Sequence, residues 1–339
     1  MPKAVIVDIA TEVPNQALSN AALEARNIGW TADQILTKTG IFERRIAASG
    51  ECSSDLALRA AEKLFKRERV KPNEIDYLLF CTQSPDYFLP TTACMLQERL
   101  GLSRACGAFD FNLGCSGYVV GLSLAKALIE SEQARCVLLL AGETYSKFMH
   151  PRDRSVCTLF GDGASATVVQ ADASASAGLD CFLCGTDGRG WKSLIVPAGG
   201  MRLPRSAETA REHTDEDGNI RSEDNLYVNG REIFRFALQA VPQTIKQLLE
   251  RANLGKDDID FIVLHQANRF MLDELVKRMQ FPAEKVPYDF ADVGNTVSST
   301  IPIVLERMSN QQKLKSGQRL LLVGFGVGYS WAGGIVTWR

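Results

Sequence analysis

The sequence has little imbalance of charge, few histidines and no long apolar run. Its formal net charge is only −2 over 339 residues, without the positive excess that is typical of nucleic-acid binding. No apolar stretch approaches the roughly eighteen residues that cross a membrane. The first residues, MPKAVIVDIATEVPN, show neither the basic region nor the apolar core of a signal peptide. These absences predict a cytoplasmic protein that binds neither nucleic acid nor membrane.

The nine cysteines are odd in number and scattered through apolar segments. This pattern favours reduced thiols over a framework of disulfides. Cys181 and Cys184 have a CxxC spacing, but no second pair accompanies them and the chain has only three histidines. We therefore expect no metal site. A buried cysteine in this chain is by default a small apolar side chain.

Three segments of the first half recur in the second half at an offset of about 180 residues. EIDYLLFCTQS matches DIDFIVLHQAN, AFDFNLGCSG matches PYDFADVGNT, and VLLLAGETYS matches LLLVGFGVGYS. Because three weak similarities fall in one register, they predict two duplicated α/β modules, residues 1–175 and 176–339. The modules should divide near the Ala/Ser-rich stretch 171–178 and pack around a shared core.

Short Val/Ile/Leu runs alternate with helical patterns in both modules, which favours mostly parallel sheets with helices on both faces. In such sheets, sites form at the carboxyl ends of strands. The repeats put polar residues there: Cys115 and Asn295 after the two DF segments, and His265 after FIVL. The duplication therefore predicts that these three side chains lie at equivalent edges of one pseudo-symmetric core.

Cys115 stands where an apolar strand gives way to a long helical pattern, between Gly114 and Ser116-Gly117. The positive end of a helix favours the thiolate, and the two glycines let a substrate approach the backbone closely. Plain alternatives exist, since a buried thiol is often inert, a lone histidine is usually structural, and Asn295 can cap a helix. The joint placement of the three side chains favours a site.

Residues 202–225 break the alternating pattern. The segment is charged and poor in large apolar residues, so we expect a surface flap, with a solvated loop without function as the alternative.

The sequence contains no G-x-S-x-G, H-E-x-x-H or Walker A motif. GDGASA at 161–166 is similar to a dinucleotide turn, but the strand-like TVVQA that follows favours a tight turn between core strands.

Several motifs together resemble those of β-ketoacyl-acyl carrier protein synthase III, a family of condensing enzymes in the thiolase superfamily. They are KTGIFERRIA, LGCSG, FGDGASA, VLHQAN, VGNTVSS and GFGVGYSWAGGIV, in the family's order along nearly the whole chain. The resemblance implies a five-layered αβαβα thiolase fold, a homodimer, and a catalytic set that matches Cys115, His265 and Asn295. It implies no cofactor, since the substrates are thioesters of coenzyme A or of acyl carrier protein.

The chemistry that the resemblance implies is a decarboxylating Claisen condensation. Cys115 takes an acyl group from a primer thioester, malonyl-acyl carrier protein loses CO₂, and the resulting carbanion attacks the acyl-cysteine. His265 and Asn295 are expected to donate hydrogen bonds to the thioester oxygen as the enolate develops. The backbone N–H groups of Cys115 and Val327 are expected to form the oxyanion hole. The family usually has glycine at the position of Val327, whose side chain must then point away from the hole.

The resemblance also assigns residues to the carrier arm and to the docking of the carrier protein. Four residues match positions that bind the primer or the pantetheine arm: Lys38, Arg154, Asn268 and Leu89. Leu89 would lie where one subunit reaches across the dimer. Because acyl carrier protein is acidic, its docking face should be basic. The candidate docking residues are Arg231, Arg235 and Arg269. Arginines on a solvated helix face are the alternative.

The segment TADQILTKTGI departs from the family pattern. Family members often have a tryptophan that stacks on the adenine of coenzyme A where this chain has Gln34, and an arginine where it has Lys38. An amide cannot replace an indole face, so we expect the primer to arrive on acyl carrier protein, or on coenzyme A held weakly through its phosphates and pantetheine arm. Trp30 is expected to serve as an apolar staple before the Thr31 cap.

Two other functions remain open at this point. A protein of the same fold can transfer acyl groups to an alcohol or an amine without condensation, and a non-catalytic subunit can bind acyl chains or a second synthase. The complete set of Cys115, His265 and Asn295 argues against the non-catalytic subunit, which needs none of the three.

Overall fold

The computed structural model describes residues 2–339 as strands alternating with helices. The helices are α1 Asn20–Glu24, α2 Ala32–Thr39, α3 Ser53–Phe65, α4 Thr92–Arg99, α5 Gly117–Glu130, α6 Arg154–Cys157, α7 Gly230–Ala252, α8 Arg269–Met279 and α9 Thr300–Asn310. The strands are β1 Lys3–Glu12, β2 Ala17–Ser19, β3 Glu43–Arg45, β4 Tyr77–Cys81, β5 Gly107–Phe111, β6 Cys136–Glu143, β7 Gly163–Asp172, β8 Leu179–Thr186, β9 Leu194–Ile195, β10 His213–Thr214, β11 Ile220–Arg221, β12 Tyr227–Val228, β13 Phe261–Leu264, β14 Arg319–Gly326 and β15 Ser330–Thr337.

The first half folds into a five-stranded mixed sheet. Its strand order is β1-β7-β6-β4-β5, with β4 parallel to β5 and β6, and with β7 antiparallel to β6 and β1. The apolar runs YLLFC of β4 and CVLLLAGE of β6 are almost entirely buried, because helices cover both faces of the sheet. The strand β5 lies at the edge.

The second half repeats this order with four strands. Its sheet runs β13-β14-β15-β8, with β13 parallel to β14 and the other neighbours antiparallel. The matching sequences fall on β4 and β13 and on β6 and β14, so the sequence repeat is a repeat of strands. The expectation of mostly parallel sheets is wrong, because four of the seven neighbouring strand pairs in the two sheets are antiparallel. One of these pairs, β14 and β15, is joined by a short turn of residues 327–329, which requires antiparallel pairing.

The second DF segment is not a strand, contrary to the sequence-based expectation. Residues 287–290, PYDF, are irregular, and the backbone N–H of Asp289 donates to Gln266 Oε1 at 3.0 Å. The side chain of Gln266 therefore takes the place of a neighbouring strand. The second sheet has one strand fewer than the first.

Helices complete five layers. α3 and α4 cover the outer face of the first sheet, α7 and α8 cover the outer face of the second, and α5 and α9 lie between the sheets. The central core combines apolar side chains of both sheets with those of α5 and α9, so the two halves bury their inner faces together. The αβαβα arrangement implied by the resemblance is confirmed.

Residues 173–178 connect β7 of the first sheet to β8 of the second. The boundary that we place between residues 175 and 176 lies in this connection. None of the helices formed by residues 2–339 has the length and apolar character that a membrane crossing requires.

The charged segment 202–225 contains a short hairpin of β10 and β11. Asp215 organises the turn of this hairpin, since its Oδ1 accepts hydrogen bonds from the backbone N–H groups of Asp217 and Asn219 at 3.0 and 2.8 Å. After the segment, β12 pairs with β9 and leads into α7. Local hydrogen bonds, rather than an apolar core, give this segment its shape.

Candidate active site

Cys115 lies in the turn between β5 and α5, two residues before α5 begins at Gly117. Both neighbouring glycines are required by close packing. A Cβ on Gly117 would lie 2.1 Å from Cys81 Sγ, and a Cβ on Gly114 would lie 2.6 Å from Gln83 Oε1. Cys115 is 5% exposed. The turn therefore holds a buried thiol at the start of a helix, as the sequence predicts.

The carboxyl end of β14 packs against this turn. A Cβ on Gly324 would lie 2.4 Å from the carbonyl oxygen of Cys115, and a Cβ on Gly326 would lie 3.1 Å from its Sγ. The Cγ1 atom of Val327 lies 2.6 Å from the position that a Cβ on Gly114 would occupy. The Val327 side chain therefore packs on the Cys115 turn, and its backbone N–H remains a candidate for the oxyanion hole.

His265 follows β13 at the same end of the second sheet. Its backbone N–H donates to the Val323 carbonyl at 2.8 Å, and its ring meets Phe325 edge-on with 5.5 Å between centroids. Nδ1 forms a 2.8 Å hydrogen bond with Thr300 Oγ1, which leaves Nε2 for a substrate. Burial lowers the pKa of His265 to about 3, against the opposing effect of the Val297 backbone, so the ring is neutral near pH 7.

Asn295 precedes a short 3₁₀ turn, Val297–Ser299, that leads into α9. Its Oδ1 accepts a 2.9 Å hydrogen bond from the Val297 N–H. This bond fixes the amide, because the oxygen is used within the chain and the Nδ2 hydrogens are left to donate to a ligand. Asn295 does not cap the helix, since the N-cap of α9 is Ser299.

The structure brings Cys115, His265 and Asn295 together at the junction of the two halves. Phe325 contacts the His265 ring, while the glycines on either side of Phe325 pack against Cys115. Val297, which is bonded to Asn295, shares a buried apolar cluster with Cys115. The three side chains therefore share neighbouring residues at the ends of matched segments.

The surroundings of Cys115 disfavour ionisation of its thiol. Burial is the main cause that raises its pKa above the ordinary range, and the nearby Glu143 carboxylate raises it further. The backbone N–H of Cys115 lowers the pKa, but by less. Burial and Glu143 therefore oppose the thiolate that the start of the helix favours.

Glu143 is a functional candidate that the sequence analysis missed. It is fully buried at the end of β6, where both carboxylate oxygens accept from the Gln83 N–H at 3.0 Å and Oε2 also accepts from Ser84 Oγ at 3.0 Å. Burial raises the pKa of Glu143 to about 8, against the effect of these hydrogen bonds. The sequence does contain a pattern that indicates Glu143, because the matched strand segment VLLLAGE ends in this polar residue.

An apolar cluster surrounds the thiol. Besides Cys115 it contains the buried side chains of Tyr145, Val156, Phe160, Leu194, Leu226 and Val297. The Tyr145 ring packs on Phe160 with 5.4 Å between centroids, and its hydroxyl donates to Gln83 Oε1. Leu89 is not part of this cluster and is 86% exposed, so the single chain does not bring it to the thiol.

A cavity of about 550 Å³ collects the other residues expected at the carrier arm. Its lining includes Trp30, Lys38, Arg154, Asn268, Arg269 and Phe270. Lys38 Nζ and Arg154 Cζ lie 5.2 and 5.4 Å from the centre of the Trp30 ring. The cavity borders the catalytic candidates, because Leu159 in its wall accepts from the Asn295 N–H at 2.9 Å. We name it the carrier cavity.

Trp30 is both a staple and part of the wall of the carrier cavity. Gln34 is used locally, since its Oε1 accepts from the Thr31 N–H at 3.0 Å and its own N–H donates to Thr31 Oγ1 at 3.2 Å. Trp30 packs in one apolar cluster with Ile35, as a staple does. The staple prediction is confirmed, and the same ring also faces the carrier cavity.

The candidate docking arginines lie on two neighbouring helices. Arg269 lines the carrier cavity at the start of α8, whereas Arg231 and Arg235 belong to the first turns of α7, with the Arg235 side chain 76% exposed. The two helices are adjacent, because the rings of Phe234 and Phe270 stack with 5.2 Å between centroids. The three arginines therefore lie close to the carrier cavity, with Arg235 paired to Glu232 at 2.9 Å.

Within residues 2–339, no group of three or more His, Cys, Asp or Glu side chains is placed to hold a metal ion. Cys181 and Cys184 are three residues apart on β8 and therefore point to opposite faces of the sheet. The groups gathered at the site are a thiol, an imidazole, an amide and backbone N–H donors, which suit acyl transfer.

Comparison with known proteins agrees with this chemistry. Residues 109–188 match the family model of 3-oxoacyl-acyl-carrier-protein synthase III, and residues 249–338 match the model of its C-terminal part. The β-ketoacyl-acyl-carrier-protein synthase III of Chlamydia caviae is 38% identical over 329 residues, which cover 97% of this chain and 95% of that protein.

Solved structures give the same result. A crystal structure of a 3-oxoacyl-acyl-carrier-protein synthase III superposes with a TM-score of 0.98 at 54% identity and covers 99% of this chain and 100% of that one. The priming β-ketosynthase of the R1128 polyketide biosynthetic pathway superposes with a TM-score of 0.85 at 28% identity and covers 100% of this chain and 98% of that one. This chain belongs to the β-ketoacyl-acyl-carrier-protein synthase III family.

Proposed function

We propose that this protein condenses an acyl primer with malonyl-acyl carrier protein, releasing CO₂ and forming a β-ketoacyl thioester. The observation that carries the proposal is the convergence of Cys115, His265 and Asn295 beside a cation-lined cavity. The family adds support, since the relative from Chlamydia caviae is named for β-ketoacyl synthesis and the R1128 neighbour is a priming ketosynthase.

The first half-reaction transfers the primer to Cys115. Its Sγ attacks the thioester carbonyl, the new C–S bond replaces the bond to the carrier sulfur, and the carrier leaves as a thiol with the proton that Cys115 loses. The backbone N–H groups of Cys115 and Val327 stabilise the oxygen as it gains charge. The apolar cluster that includes Tyr145 receives the acyl chain.

The second half-reaction forms the carbon–carbon bond. Malonyl thioester loses CO₂, the enolate carbon attacks the acyl-cysteine, and Cys115 leaves as a thiolate that takes a proton from solvent. Asn295 Nδ2 and His265 Nε2 donate to the malonyl thioester oxygen, where charge develops. Donation from Nε2 uses the neutral tautomer that carries its proton there, in which Thr300 Oγ1 donates to Nδ1 instead of to the Val297 carbonyl. The low pKa of His265 favours a neutral ring and does not oppose this role.

The carrier cavity suits the phosphorylated end of a thioester carrier. Lys38, Arg154 and Arg269 supply three cations in its wall, against one acidic side chain, Asp273, which accepts from the Tyr288 hydroxyl at 3.0 Å. Gln34 is held in its capping box, and Lys38 and Arg154 already lie close to the Trp30 ring. We therefore keep the proposal that the primer arrives on acyl carrier protein, or on coenzyme A held weakly through its phosphates and pantetheine arm. Comparing Cys115 acylation from the two carriers tests this. A clear preference for coenzyme A that survives Trp30→Ala would contradict it.

The protein partner is acyl carrier protein, docked on the basic surface of α7 and α8 that carries Arg231, Arg235 and Arg269. Acidic carrier surfaces complement these cations, and long-range attraction of this kind speeds association.

The protein acts as a homodimer joined along β5. This strand is an unpaired edge, its Phe109 is 39% exposed, and the nearby loop exposes Tyr87, Phe88 and Leu89. An open strand edge beside exposed apolar side chains is typical of an interface. In this arrangement Leu89 reaches the primer site across the dimer.

Nine free cysteines fit a reducing, cytoplasmic setting.

The condensation is tested with malonyl-acyl carrier protein labelled with ¹³C in the free carboxyl group, together with an acyl primer thioester. We expect labelled CO₂ and a β-ketoacyl group on the carrier protein in equal amounts. Transfer of the primer to an alcohol or an amine without release of CO₂ would overturn the proposal in favour of simple acyl transfer.

A further inference from the structure

Arg221 joins the charged segment 202–225 to the loop that carries Arg154. Its Nη1 donates to Asp153 Oδ2 at 2.6 Å, and its Nη2 donates to Asp215 in the hairpin turn. The Arg221 side chain is 8% exposed and that of Asp153 is fully buried. A guanidinium that bridges two carboxylates in a buried position is held in one geometry.

Asp153 links Arg221 to the wall of the carrier cavity. Its second oxygen, Oδ1, accepts from the Ser155 N–H at 2.9 Å and caps the short helix α6, whose first residue is Arg154. Arg154 Nη2 also donates to the Asp217 carbonyl in the hairpin turn, and its Nη1 donates to the Ile28 carbonyl at 3.5 Å. The hairpin therefore fixes Arg154 both directly and through Asp153.

Two further contacts tie the same segment to the body of the protein. Glu212 accepts from His150 Nε2 and from Arg152 Nη2, each at 2.9 Å. Just beyond the segment, Leu226 packs in the apolar cluster around Cys115. The segment thus runs from the primer cluster to the carrier cavity and is not a freely solvated loop.

We propose that Arg221 is a positioning residue for carrier binding, and that segment 202–225 is a clamp that fixes Arg154 to bind a phosphate of the incoming thioester carrier. The proposal rests on the function proposed above. Its physical basis is preorganisation, because an arginine that is already held loses less conformational freedom when the ligand binds. The phosphate belongs either to coenzyme A or to the phosphopantetheine arm of acyl carrier protein, and the two sources are separated by experiment.

The test compares the acylation of Cys115 by one acyl group on three carriers: coenzyme A, acyl carrier protein, and N-acetylcysteamine, which has no phosphate. Arg221→Gln should raise KM for at least one phosphate-bearing thioester about tenfold or more and leave kcat and the N-acetylcysteamine reaction unchanged. Whichever phosphate-bearing carrier loses affinity identifies the source. The matched control is Arg211→Gln in the same segment, since Arg211 is 75% exposed and pairs only with the exposed Glu208.

Arg221→Gln leaves Asp153 buried without its cation and risks misfolding. The double variant Arg221→Gln with Asp153→Asn removes the unpaired charge, and its asparagine still caps α6. It should fold and show the same selective rise in KM. Equal loss with all three carriers, or no loss with any, in a folded variant would overturn the proposal. Failure of the unmodified protein to acylate Cys115 from any carrier would instead refute the proposed function.

Discussion

At the scale of residues, the site depends on which atoms the chain uses itself and which it leaves for a substrate. Asn295 uses its oxygen on Val297 and His265 uses Nδ1 on Thr300, so each keeps a nitrogen for a ligand. The positions of both residues at the site could be predicted from the sequence, because each follows a matched segment. The raised pKa values of Cys115 and Glu143 could not be predicted, because they result from burial by distant segments.

Asn295→Ala should separate the two half-reactions. Acylation of Cys115 should persist, whereas CO₂ release should fall about 10²- to 10³-fold, the usual effect of removing one donor to a developing oxyanion. Asn295→Asp is the matched variant, since its carboxylate still accepts from the Val297 N–H but donates nothing. Mass spectrometry of Cys115 and measurement of CO₂ check both. Equal loss of the two half-reactions would argue against this division of roles.

Glu143 should make stability depend on pH. Its pKa is about 8 in the folded protein against an ordinary value of 4.5, so the folded state holds a proton that the unfolded state loses between these values. The stabilisation is complete below about pH 4.5 and is lost as the pH rises through 8. Glu143→Gln removes this dependence. Denaturant unfolding should therefore show the variant gaining stability relative to the parent from pH 5 to pH 8, and a constant difference would refute the assignment.

At the scale of elements, the start of α5 and the end of β14 build the nucleophile turn by close backbone packing. The change from strand to helix at Cys115 could be predicted from the sequence, because an apolar run of period two meets one of period three to four. The absence of a strand at PYDF could not be predicted, since the similar segment AFDF of the first half does form a strand, and the hydrogen bonds of PYDF to the side chain of Gln266 come from a distant part of the sequence.

Gly117→Ala should destabilise the protein, by about 1 to 3 kcal/mol, because the new Cβ would lie 2.1 Å from Cys81 Sγ in a packed core. Gly230→Ala is the matched control, since Gly230 is also the first residue of its helix and a Cβ there meets nothing within 4 Å. Thermal unfolding of both variants checks this. Adding Cys81→Ala should restore part of the loss, and a Gly117→Ala variant as stable as the control would contradict the packing argument.

At the scale of the whole molecule, two similar halves share one central core and place unlike groups at matched ends. In the proposed mechanism the first half supplies the nucleophile and the second half supplies the two donors, so neither half would carry the chemistry alone. The repeat made this arrangement predictable from the sequence. The carrier cavity was not predictable from spacing, because Trp30, Arg154 and Arg269 come from three distant segments.

The most direct test of the account is the fate of an acyl group on Cys115, followed by mass spectrometry. The protein should take up one acyl group from a primer thioester, mapped to Cys115, and malonyl-acyl carrier protein should then discharge it with release of CO₂. Cys115→Ala should take up none although its other cysteines remain, and Cys115→Ser should be nearly inert, because a serine hydroxyl there lacks a dedicated base. Labelling that persists in Cys115→Ala, or an acyl-Cys115 that malonyl-acyl carrier protein does not discharge, would contradict the account.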